Sequence, residues 1–498
     1  MKNLIYTFFF AIIIALSFIS CKDKEVVATP DPVIAKPIIS TSSDSLKFTE
    51  SAGTSTVKVT MNGNSWSVLS DQTWCSLSFN TSTKTSDNLD VTVAANNIAT
   101  DRTAKLTFVM DNKTVVYVKI LQAAKTGLYP SYKDSIAPDN TGMSSTAKTL
   151  AAKIFVGWNL GNSLEATGGE TAWGNPKTTQ LLIDSIKASG INAIRIPCAW
   201  NSYIEDATTC KIKDSWLTRV KEVVDYCIKD NMYVIINIHW DGGWLENNPT
   251  YAKQLAVNAK QKALWEQIAV NFRGYDEHLL FAGTNEVHAD YNTPTTENIT
   301  VQQSYNQTFV NAVRSTGGKN AYRNLIIQSY NTNIGYAVSY LKIPTDALSD
   351  RLIVEVHYYD PWDFCGDSTS SIYLWGTNYA QYGATSTWGQ EDYVRSQFQS
   401  MKTNFVDKGY PVILGEFGAI RRSSLTGNAL QHHLDSRAYY MQYVAQQAKN
   451  YGLVPFAWDN GGTGNNTMAI FNRGDGSTFD RQTLKAYIAG ATAGKYPF

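Results

Sequence analysis

Hydrophobic and polar positions follow a strand-like pattern in the first part of the chain. Between Leu46 and Gln122, short runs such as STVKVTM, LDVTVAAN and AKLTFVM alternate apolar with polar residues, and turns rich in Gly, Asn, Asp and Ser separate them. A period of two places one face of each run in a core and the other in solvent. This pattern predicts a small all-β, immunoglobulin-like sandwich over residues 39–124.

From about Ser131 onward, β-branched runs alternate with longer stretches of helical periodicity. Eight strand candidates follow in the order FVGWNLG, INAIRIP, YVIINIH, LLFAGTNE, NLIIQSY, LIVEVHYY, PVILGEFG and LVPFAWDN. The stretches KTTQLLIDSIKASG and SWLTRVKEVVDYCIKDN end in Gly190 and Asn231, residues that commonly terminate helices. After a linker at 125–135, the repeated βα units predict an α/β fold, a (β/α)8 TIM barrel over residues 136–498.

The first 21 residues predict an export signal. Lys2 precedes the apolar run from Leu4 to Phe18, which at about 15 residues is shorter than a membrane-spanning helix. The sequence FISC that follows resembles a bacterial lipobox, whose cysteine becomes the lipidated first residue of the mature protein. Cys21 is therefore expected to carry a lipid anchor, and the aperiodic, Pro-containing residues 22–38 to form a flexible linker.

The predicted anchor implies an outer-membrane lipoprotein with a soluble body. The charged run Lys22-Asp23-Lys24-Glu25 faintly resembles an outward-sorting tag, which favours display on the cell surface over a periplasmic location. Contact with the membrane is expected only through the N-terminal lipid.

Composition and charge indicate an uncharged partner. Lys+Arg and Asp+Glu both total 43, so there is no surplus of positive charge for neutralising phosphates, and a nucleic-acid partner is not expected. The 28 Tyr and 13 Trp recur beside Asn, Asp and Gly, a combination suited to sugars, although most such rings pack in cores. Trp66 and Trp74 lie in alternating strands and are predicted to be core residues, so the sandwich is interpreted as a spacer.

Neither a metal nor an organic cofactor is expected. Beyond Cys21, five cysteines remain without CxxC spacing, and the six histidines include no HExxH pattern. We expect few or no disulfides.

Each predicted barrel strand is apolar in its body and polar at its carboxyl end, where barrel enzymes build their active sites. These polar ends are Asn159, Arg195, His239, Asn285 with Glu286, Tyr330, His357 with Tyr359, Glu416, and Trp458 with Asp459. Burying a glutamate costs free energy unless the carboxylate is paired. Two glutamates at the ends of strands four and seven therefore indicate a function.

Glycoside hydrolysis accounts for two carboxyl groups that face each other across a barrel mouth. We assign Glu286 as the general acid/base, with a pKa raised by the negative charge of Glu416. Glu416 is the nucleophile of a retaining reaction, held ionised by Arg195 and Tyr359. Asn285 is placed to hydrogen-bond the sugar 2-hydroxyl.

Two ordered sets of motifs resemble known families. SWSVLSDQTWCSLS, VTVAANN, DRTAKLTF and KILQ resemble the BACON domain of extracellular carbohydrate enzymes. GWNLGNSLEA, RIPCAW, INIHWDGGW, GTNEVH, VHYYDPW, GEFGA and FAWDNG resemble glycoside hydrolase family 5, particularly the endoglucanases and xyloglucanases of its subfamily 4. The second resemblance implies that the functional positions are Arg195, His239, Asn285, Glu286, His357, Tyr359, Glu416 and Trp458.

Further substrate contacts are expected around the same barrel mouth. The candidates are Asn159, Trp240, Trp244, Trp362 and Asn460, and the long segment 360–388 is expected to form part of a cleft wall.

Together these features predict a retaining endo-β-1,4-glucanase that acts on β-glucan polysaccharides or oligosaccharides of plant cell walls, with xyloglucan favoured by the resemblance. One alternative is a mannanase or xylanase on the same barrel, because a fold does not determine a substrate. Another is a non-catalytic surface glycan-binding lipoprotein, against which the intact Glu286 and Glu416 speak.

Overall fold

The computed structural model describes residues 36–96, 101–125 and 127–498. The predicted signal peptide, the lipidated Cys21 and nearly all of the linker 22–38 therefore lie outside the described residues. The described chain forms two compact units that divide between Ala124 and Lys125. Within the described residues, no helix combines the length and the apolar character needed to cross a membrane.

The first unit is a β-sandwich of two sheets. Its strands are β1 (Ile39–Thr41), β2 (Ser45–Phe48), β3 (Gly53–Met61), β4 (Trp66–Ser70), β5 (Cys75–Leu77), β6 (Thr81–Ser82), β7 (Ser86–Val93), β8 (Arg102–Met110) and β9 (Thr114–Gln122). One sheet has the order β1-β3-β7-β5 and the other β2-β9-β8-β4-β6. Burial alternates along β3, β7 and β8, as the period-two pattern predicts, and the buried faces build a separate core.

The two tryptophans of the sandwich differ in burial. Trp66 is 2% exposed and packs against Phe79 and Phe108, so its prediction as a core residue is confirmed. Trp74 is only half-buried at the edge of the core, and the guanidinium of Arg102 lies 4.1 Å from its ring centroid. Trp74 thus packs against the core and also contacts Arg102, so its prediction as a core residue holds only in part.

The second unit is a closed barrel of eight parallel strands, which confirms the predicted α/β fold. In chain order, and in order around the barrel, they are β11 (Gly157–Asn159), β12 (Ala193–Ile196), β15 (Tyr233–Asn237), β16 (Leu279–Ala282), β18 (Leu325–Gln328), β19 (Leu352–Tyr358), β20 (Val412–Phe417) and β21 (Leu453–Ala457). Two small sheets accompany them, β10 (Ile136–Pro138) with β17 (Gly317–Gly318), and β13 (Ile204–Asp206) with β14 (Lys211–Ile212). All eight predicted strand segments contain a barrel strand.

The helices of this unit connect the strands. They are α1 (Ala147–Lys153), α2 (Gln180–Ala188), α3 (Asp214–Lys229), α4 (Tyr251–Asn271), α5 (Thr296–Ser315), α6 (Ile334–Tyr340), α7 (Trp362–Cys365), α8 (Glu391–Asn404), α9 (Gly427–Asn450) and α10 (Arg481–Ala493). Gly190 and Asn231, just beyond α2 and α3, have φ angles of 96° and 53°. These left-handed residues end both helices where the sequence predicts.

Part of the segment predicted as a linker packs against the barrel. The backbone N–H of Tyr132 donates to Glu266 at 2.7 Å, and the Tyr132 hydroxyl donates to the carbonyl of Thr209 at 2.9 Å. Both partners are distant in sequence, so no local pattern reveals these contacts. The second half of the stretch 125–135 therefore belongs structurally to the barrel unit.

Strand alternation carries polar side chains into the barrel. In β12, Ala193 belongs to the interior cluster and Ile194 to the layer between strands and helices, so Arg195 points inward. In β19, Ile353 is in the interior cluster, and Glu355, two residues later, points inward as well. Because all eight strands are parallel, their polar carboxyl ends meet at one mouth.

Candidate active site

Arg195 is the centre of a hydrogen-bond network at the barrel mouth. It is fully buried, and its Nη1 donates to Asn159 Oδ1 at 3.0 Å and to Glu416 Oε1 at 2.8 Å. Its Nη2 donates to Asn285 Oδ1 at 2.8 Å, and its Nε lies 2.9 Å from Glu355 Oε1. One guanidinium therefore connects four barrel strands or the segments that follow them, and it holds Glu416 by a charge-assisted hydrogen bond.

Glu355 is a functional residue that the sequence analysis missed. Its carboxylate is fully buried between Arg195, Gln328 and His357. A Cβ at Gly415 would lie 2.0 Å from Glu355 Oε1, so glycine before Glu416 leaves room for this carboxylate. The available signal was a glutamate inside the apolar strand LIVEVHYY, two residues before His357 and thus on the same face.

A strand irregularity places His357 beside both candidate catalytic carboxylates. The register between β19 and β20 shifts between Val356 and His357, so that His357 pairs with Glu416. Its Nδ1 lies 2.6 Å from Glu286 Oε1 and 3.7 Å from Glu416 Oε2, and its Nε2 lies 3.3 Å from Glu355 Oε1. One imidazole thus contacts three carboxylates.

The two glutamates predicted to react do face each other. Ligand atoms of Glu286, His357 and Glu416 all lie within 4.8 Å of one another. Glu416 is 5% exposed, whereas the Glu286 side chain is 29% exposed and its carboxylate reaches the cleft. The Tyr359 hydroxyl donates to Glu416 Oε2 at 3.0 Å. Carboxyl groups this close match the spacing of retaining glycosidases, because inverting enzymes need roughly 6.5–9.5 Å to admit a water.

The charges of the network determine where its protons lie. Burial opposes a charged imidazole, but Glu416, Glu286 and Glu355 outweigh it and raise the pKa of His357 to about 10. Burial likewise opposes ionisation of Glu355, yet Arg195 and His357 lower its pKa to about 2. The site therefore holds an imidazolium and a guanidinium among three carboxyl groups.

The expectation of a raised pKa for Glu286 is wrong. Burial raises it, but the hydrogen bond and charge of His357 dominate, and the net pKa of Glu286 is lowered. For Glu416, burial raises the pKa while His357 and Arg195 act in the opposite direction, and the net shift is upward, so the expectation that Arg195 and Tyr359 lower the pKa of Glu416 is wrong as well. The sequence shows that His357 lies near the end of another strand, β19, but it does not show a cation 2.6 Å from Glu286.

His239 and Trp458 lie side by side at the mouth. Their rings are nearly parallel, with an interplanar angle of 7° and centroids 5.9 Å apart. Asn237 accepts from the Cys198 N–H through Oδ1, so its Nδ2 faces His239 Nδ1 at 3.2 Å. Burial, Arg195 and His357 lower the pKa of His239 well below its usual value. His239 is thus neutral, with Nδ1 as acceptor and Nε2–H free to donate.

Asn285 is held at both ends of its amide. Arg195 donates to its Oδ1, while its Nδ2 donates to Glu246 Oε2 at 3.2 Å. The same oxygen of Glu246 accepts from the backbone N–H of Glu286 at 3.1 Å. Burial and the charge of Glu286 raise the pKa of Glu246 to about 8. Glu246 is a second residue that the sequence analysis missed, because it lies in a loop after β15 with no pattern to mark it.

Two predicted substrate contacts bond to protein groups. Asn159 is fully buried, and its amide is occupied by Arg195 and by the carbonyls of Gly415 and Ala457, so it positions Arg195. Asn460 accepts through Oδ1 from the backbone N–H groups of Gly462 and Met468, which organises the loop after β21. Asn159 is therefore wrong as a substrate contact, because its whole amide serves the protein. For Asn460 only the amide oxygen is engaged, and its contact with substrate stays a prediction.

The predicted tryptophans divide into exposed and supporting residues. Trp240 and Trp362 are 38% and 56% exposed, as expected for rings that line a cleft. Trp244 is half-buried, its Nε1 donates to Asp241 at 2.8 Å, and Lys260 lies 4.5 Å from its ring centroid, so it supports the loop. Within 360–388, Trp375 is fully buried, so this segment is partly core and only partly surface.

The cluster of Glu286, His357 and Glu416 is a hydrogen-bonded network. These residues provide donor atoms of the kind that bind metals. The contact between His357 and Glu286, however, is 2.6 Å, whereas two ligands around a tetrahedral ion with bonds of about 2.0 Å stand roughly 3.3 Å apart. Arg195 already supplies a cation to Glu416. The arrangement therefore suits proton transfer and carboxylate chemistry.

Comparison with protein families gives two matches. Residues 159–464 match the family described as cellulase (glycosyl hydrolase family 5), and residues 64–123 match the BACON family, described as a putative N-terminal binding domain. The first match contains every residue of the network around Arg195.

Individual relatives extend over most of the chain. A xyloglucan-specific endo-β-1,4-glucanase of Bacteroides ovatus is 39% identical over 440 residues, covering 85% of this chain and 86% of that protein. Endoglucanase A of Paenibacillus barcinonensis is 40% identical over 368 residues, covering 70% and 90%. Among solved structures, a Bacteroides ovatus GH5 xyloglucanase in complex with a XXXG heptasaccharide aligns with a TM-score of 0.70 and 37% identity, over 91% of this chain and all of that one.

Proposed function

This chain belongs to glycosyl hydrolase family 5 and is a glycoside hydrolase, and from that premise we propose that it is a retaining endo-β-1,4-glucanase acting on xyloglucan. The observation that carries the proposal is the pair Glu286 and Glu416, close enough for a covalent mechanism and joined through His357. The relatives that support the substrate are a xyloglucan-specific endoglucanase and a xyloglucanase.

In the first step Glu416 attacks the anomeric carbon, and Glu286 gives a proton to the leaving oxygen. Arg195 and Tyr359 direct hydrogen bonds at the two oxygens of Glu416 and orient it for attack. The proton for the leaving oxygen lies in the hydrogen bond between His357 Nδ1 and Glu286 Oε1. Attack removes the negative charge of Glu416 as a glycosyl ester forms.

In the second step a water hydrolyses the glycosyl ester. Glu286, now ionised, takes the water proton, and the oxygen that bonds to the anomeric carbon arrives from the face that the leaving group vacated. Two inversions retain the β configuration. Asn285, with its amide orientation set by Arg195 and Glu246, presents an N–H toward the sugar 2-hydroxyl, a bond that strengthens in the transition state.

The test is the release of products from xyloglucan, carboxymethyl cellulose, mannan and xylan, with NMR of the first-formed anomer. We expect the highest kcat/KM on xyloglucan and an initial β-anomer. A higher rate on mannan or xylan would favour the alternative substrates, and an initial α-anomer would contradict the role given to Glu416. No release from any polymer would favour a glycan-binding lipoprotein.

The location is part of the proposal. A lipid on Cys21 would hold the enzyme at the outer membrane, facing the cell surface, where polymeric glucan is accessible. The Cys21→Ala variant is expected to move from the membrane fraction to the soluble fraction with unchanged kcat/KM. A variant that stays in the membrane fraction would contradict the anchor.

A further inference from the structure

A cavity of about 620 Å³ opens beside Glu286 on one side of the barrel mouth. Its wall comes from segments that follow β16, β18 and β19, and from α8; the residues that matter here are Glu286, Tyr291, Asn331, Trp362, Tyr393 and Gln397. Residues at the ends of β20, β21, β11 and β12 do not line it. Neither Glu416 nor Trp458 lines the cavity, although its inner end reaches His357 and Tyr359, which contact Glu416.

The position of the cavity places it on the leaving-group side of the reaction, an inference that rests on the proposed function. The sugar that Glu416 attacks must lie against Glu416 and Trp458, at the ends of β20 and β21. Glu286 protonates the oxygen that joins this sugar to the departing half of the glucan. The departing half thus extends past Glu286 into the sector of β16, β18 and β19, where the cavity opens.

The cavity extends further than a straight glucan chain needs. A linear chain crosses the mouth over the strand-end loops, but this cavity continues to Gln397, which lies on α8 in the outer helical layer. A space that runs from the mouth toward the helices suits a branch on the chain. Its volume is within the range of small-molecule pockets, roughly 300–1,000 Å³.

The lining chemistry fits an uncharged sugar. The rings of Tyr291, Trp362 and Tyr393 contribute flat apolar surface, and Trp362 packs against Gly366, where a Cβ would lie 2.1 Å from its ring. The side-chain amides of Asn331 and Gln397 have no hydrogen-bond partner in the described part of the chain. The lining contains the acids Glu286 and Asp360 but neither Lys nor Arg, and its one cation, His357, is already paired with Glu286 and Glu355, which disfavours an acidic sugar.

We propose that this cavity binds a neutral side-chain sugar carried by the departing half of the glucan, with Gln397 and Asn331 hydrogen-bonding its hydroxyls and Trp362 packing against its ring. It is a specificity pocket for branched over linear glucans. Because Gln397 lies on a helix and not on a catalytic strand end, the pocket acts on substrate choice and not on the chemical step.

The experiment compares kcat/KM on xyloglucan and on unbranched cellohexaose for the wild type and three α8 variants. Gln397→Trp fills the cavity and is expected to lower kcat/KM on xyloglucan at least tenfold more than on cellohexaose. Gln397→Ala keeps the space open and removes one neutral hydrogen bond, which predicts a relative loss of about fivefold. Ser396→Trp adds the same ring one residue earlier, at an exposed position of α8, and should leave both rates unchanged.

The outcomes separate this inference from the proposed function. Equal losses on both substrates, or no loss with Gln397→Trp while Tm matches the wild type, would overturn the pocket but leave the glucanase assignment intact. If Gln397→Trp unfolds, the relative loss in Gln397→Ala decides the question, and its absence overturns the pocket. If the wild type cleaves neither substrate, the proposed function fails and this inference fails with it.

Discussion

At the scale of single residues, His357 explains how the site stores a proton beside its two catalytic carboxyl groups. Its imidazole lies between Glu286, Glu355 and Glu416, and their charges raise its pKa to about 10. The site therefore keeps a proton in the hydrogen bond that joins His357 to Glu286. A glutamate with an ordinary environment would have released that proton at neutral pH.

The two catalytic glutamates should respond differently to truncation. Glu416→Ala is expected to abolish turnover on every β-glucan and aryl glycoside, because no glycosyl ester can form. Glu286→Ala is expected to lower kcat/KM on xyloglucan by about 10²- to 10⁴-fold, the usual contribution of general acid/base catalysis. Steady-state kinetics on the polymer measure both.

Aryl glycosides and azide provide the controls for these two variants. Glu286→Ala should lose much less activity on aryl glycosides whose leaving groups need no proton. Added azide should raise its rate by replacing the activated water. Azide rescue of Glu416→Ala with a β-configured product would contradict the assignment.

Glu246 is expected to position Asn285 and Glu286. Glu246→Ala leaves the Asn285 amide and the Glu286 N–H without their acceptor, and a misplacement of this kind lowers kcat by up to about 10²-fold. Glu246→Gln keeps an oxygen acceptor and should stay within about threefold of the wild type. Equal losses in the two variants would mean that the charge of Glu246, not its acceptor, is required.

At the scale of secondary-structure elements, β19 and the residue that follows it contribute more side chains to the site than any other strand. Glu355 and His357 belong to the strand itself and Tyr359 follows it, and all three contact Arg195, Glu286 or Glu416. Strict alternation along β19 places Glu355, His357 and Tyr359 on one face. The register shift comes from an extra residue in β20, Gly415, which brings Glu416 opposite His357.

The charged groups of β19 should give the barrel a stability maximum at mildly acidic pH. The folded pKa of Glu355 is about 2 and that of His357 about 10. The contribution of Glu355 is present above its unfolded value near 4.3 and is lost as pH falls through 2, whereas that of His357 is present below about 6.5 and is lost as pH rises through 10. Thermal unfolding followed from pH 3 to 10 should therefore show the highest Tm between about pH 4.5 and 6.5.

Glu355→Gln tests the acidic half of this profile. Removing one partner from a buried charge network should lower the free energy of unfolding by about 3 kcal/mol at pH 6, and the deficit should shrink as pH falls toward 2. Glu277→Gln is the matched control, because Glu277 is also a nearly buried carboxylate, paired with Lys153 at 2.7 Å, and it precedes β16 at the opposite end of the barrel. The Glu277→Gln variant should have a lower Tm and an unchanged kcat/KM, whereas Glu355→Gln should lower both.

At the scale of the whole molecule, the chain divides into two units with separate cores. Every residue of the network around Arg195 lies between Asn159 and Trp458, within the barrel unit. Deleting residues 22–124 should therefore leave kcat/KM on soluble xyloglucan nearly intact. A loss of more than about tenfold, equivalent to roughly 1.4 kcal/mol in the barrier, would mean that the sandwich contributes to catalysis.

A point substitution in the full chain controls for the effects of truncation. Trp66→Ala removes a buried ring from the sandwich core and should destabilise that unit by about 3–5 kcal/mol. Cleavage of xyloglucan should not change. A matching loss of activity in both the deletion and Trp66→Ala would show that the barrel depends on a folded sandwich.

The sequence by itself determined the architecture and the reacting pair. Period-two alternation predicted the sandwich, and eight apolar strands with polar carboxyl ends predicted the barrel and the mouth at which Glu286 and Glu416 meet. These features are readable because strand periodicity and parallel βα repeats are local patterns that the backbone geometry imposes on the chain. Arg195 was placed beside Glu416 for the same reason.

Only the tertiary structure decided how the site is charged and which polar residues serve it. Glu355 and Glu246 became visible through partners far away in sequence, and Asn159 proved to position Arg195 rather than to face a ligand. The raised pKa of His357 depends on three carboxylates, which come from β19, β20 and the segment after β16. The distances between them exist only when these strands are assembled. Electrostatic energy varies with the separation and burial of charges, and the barrel sets both only when its eight strands close.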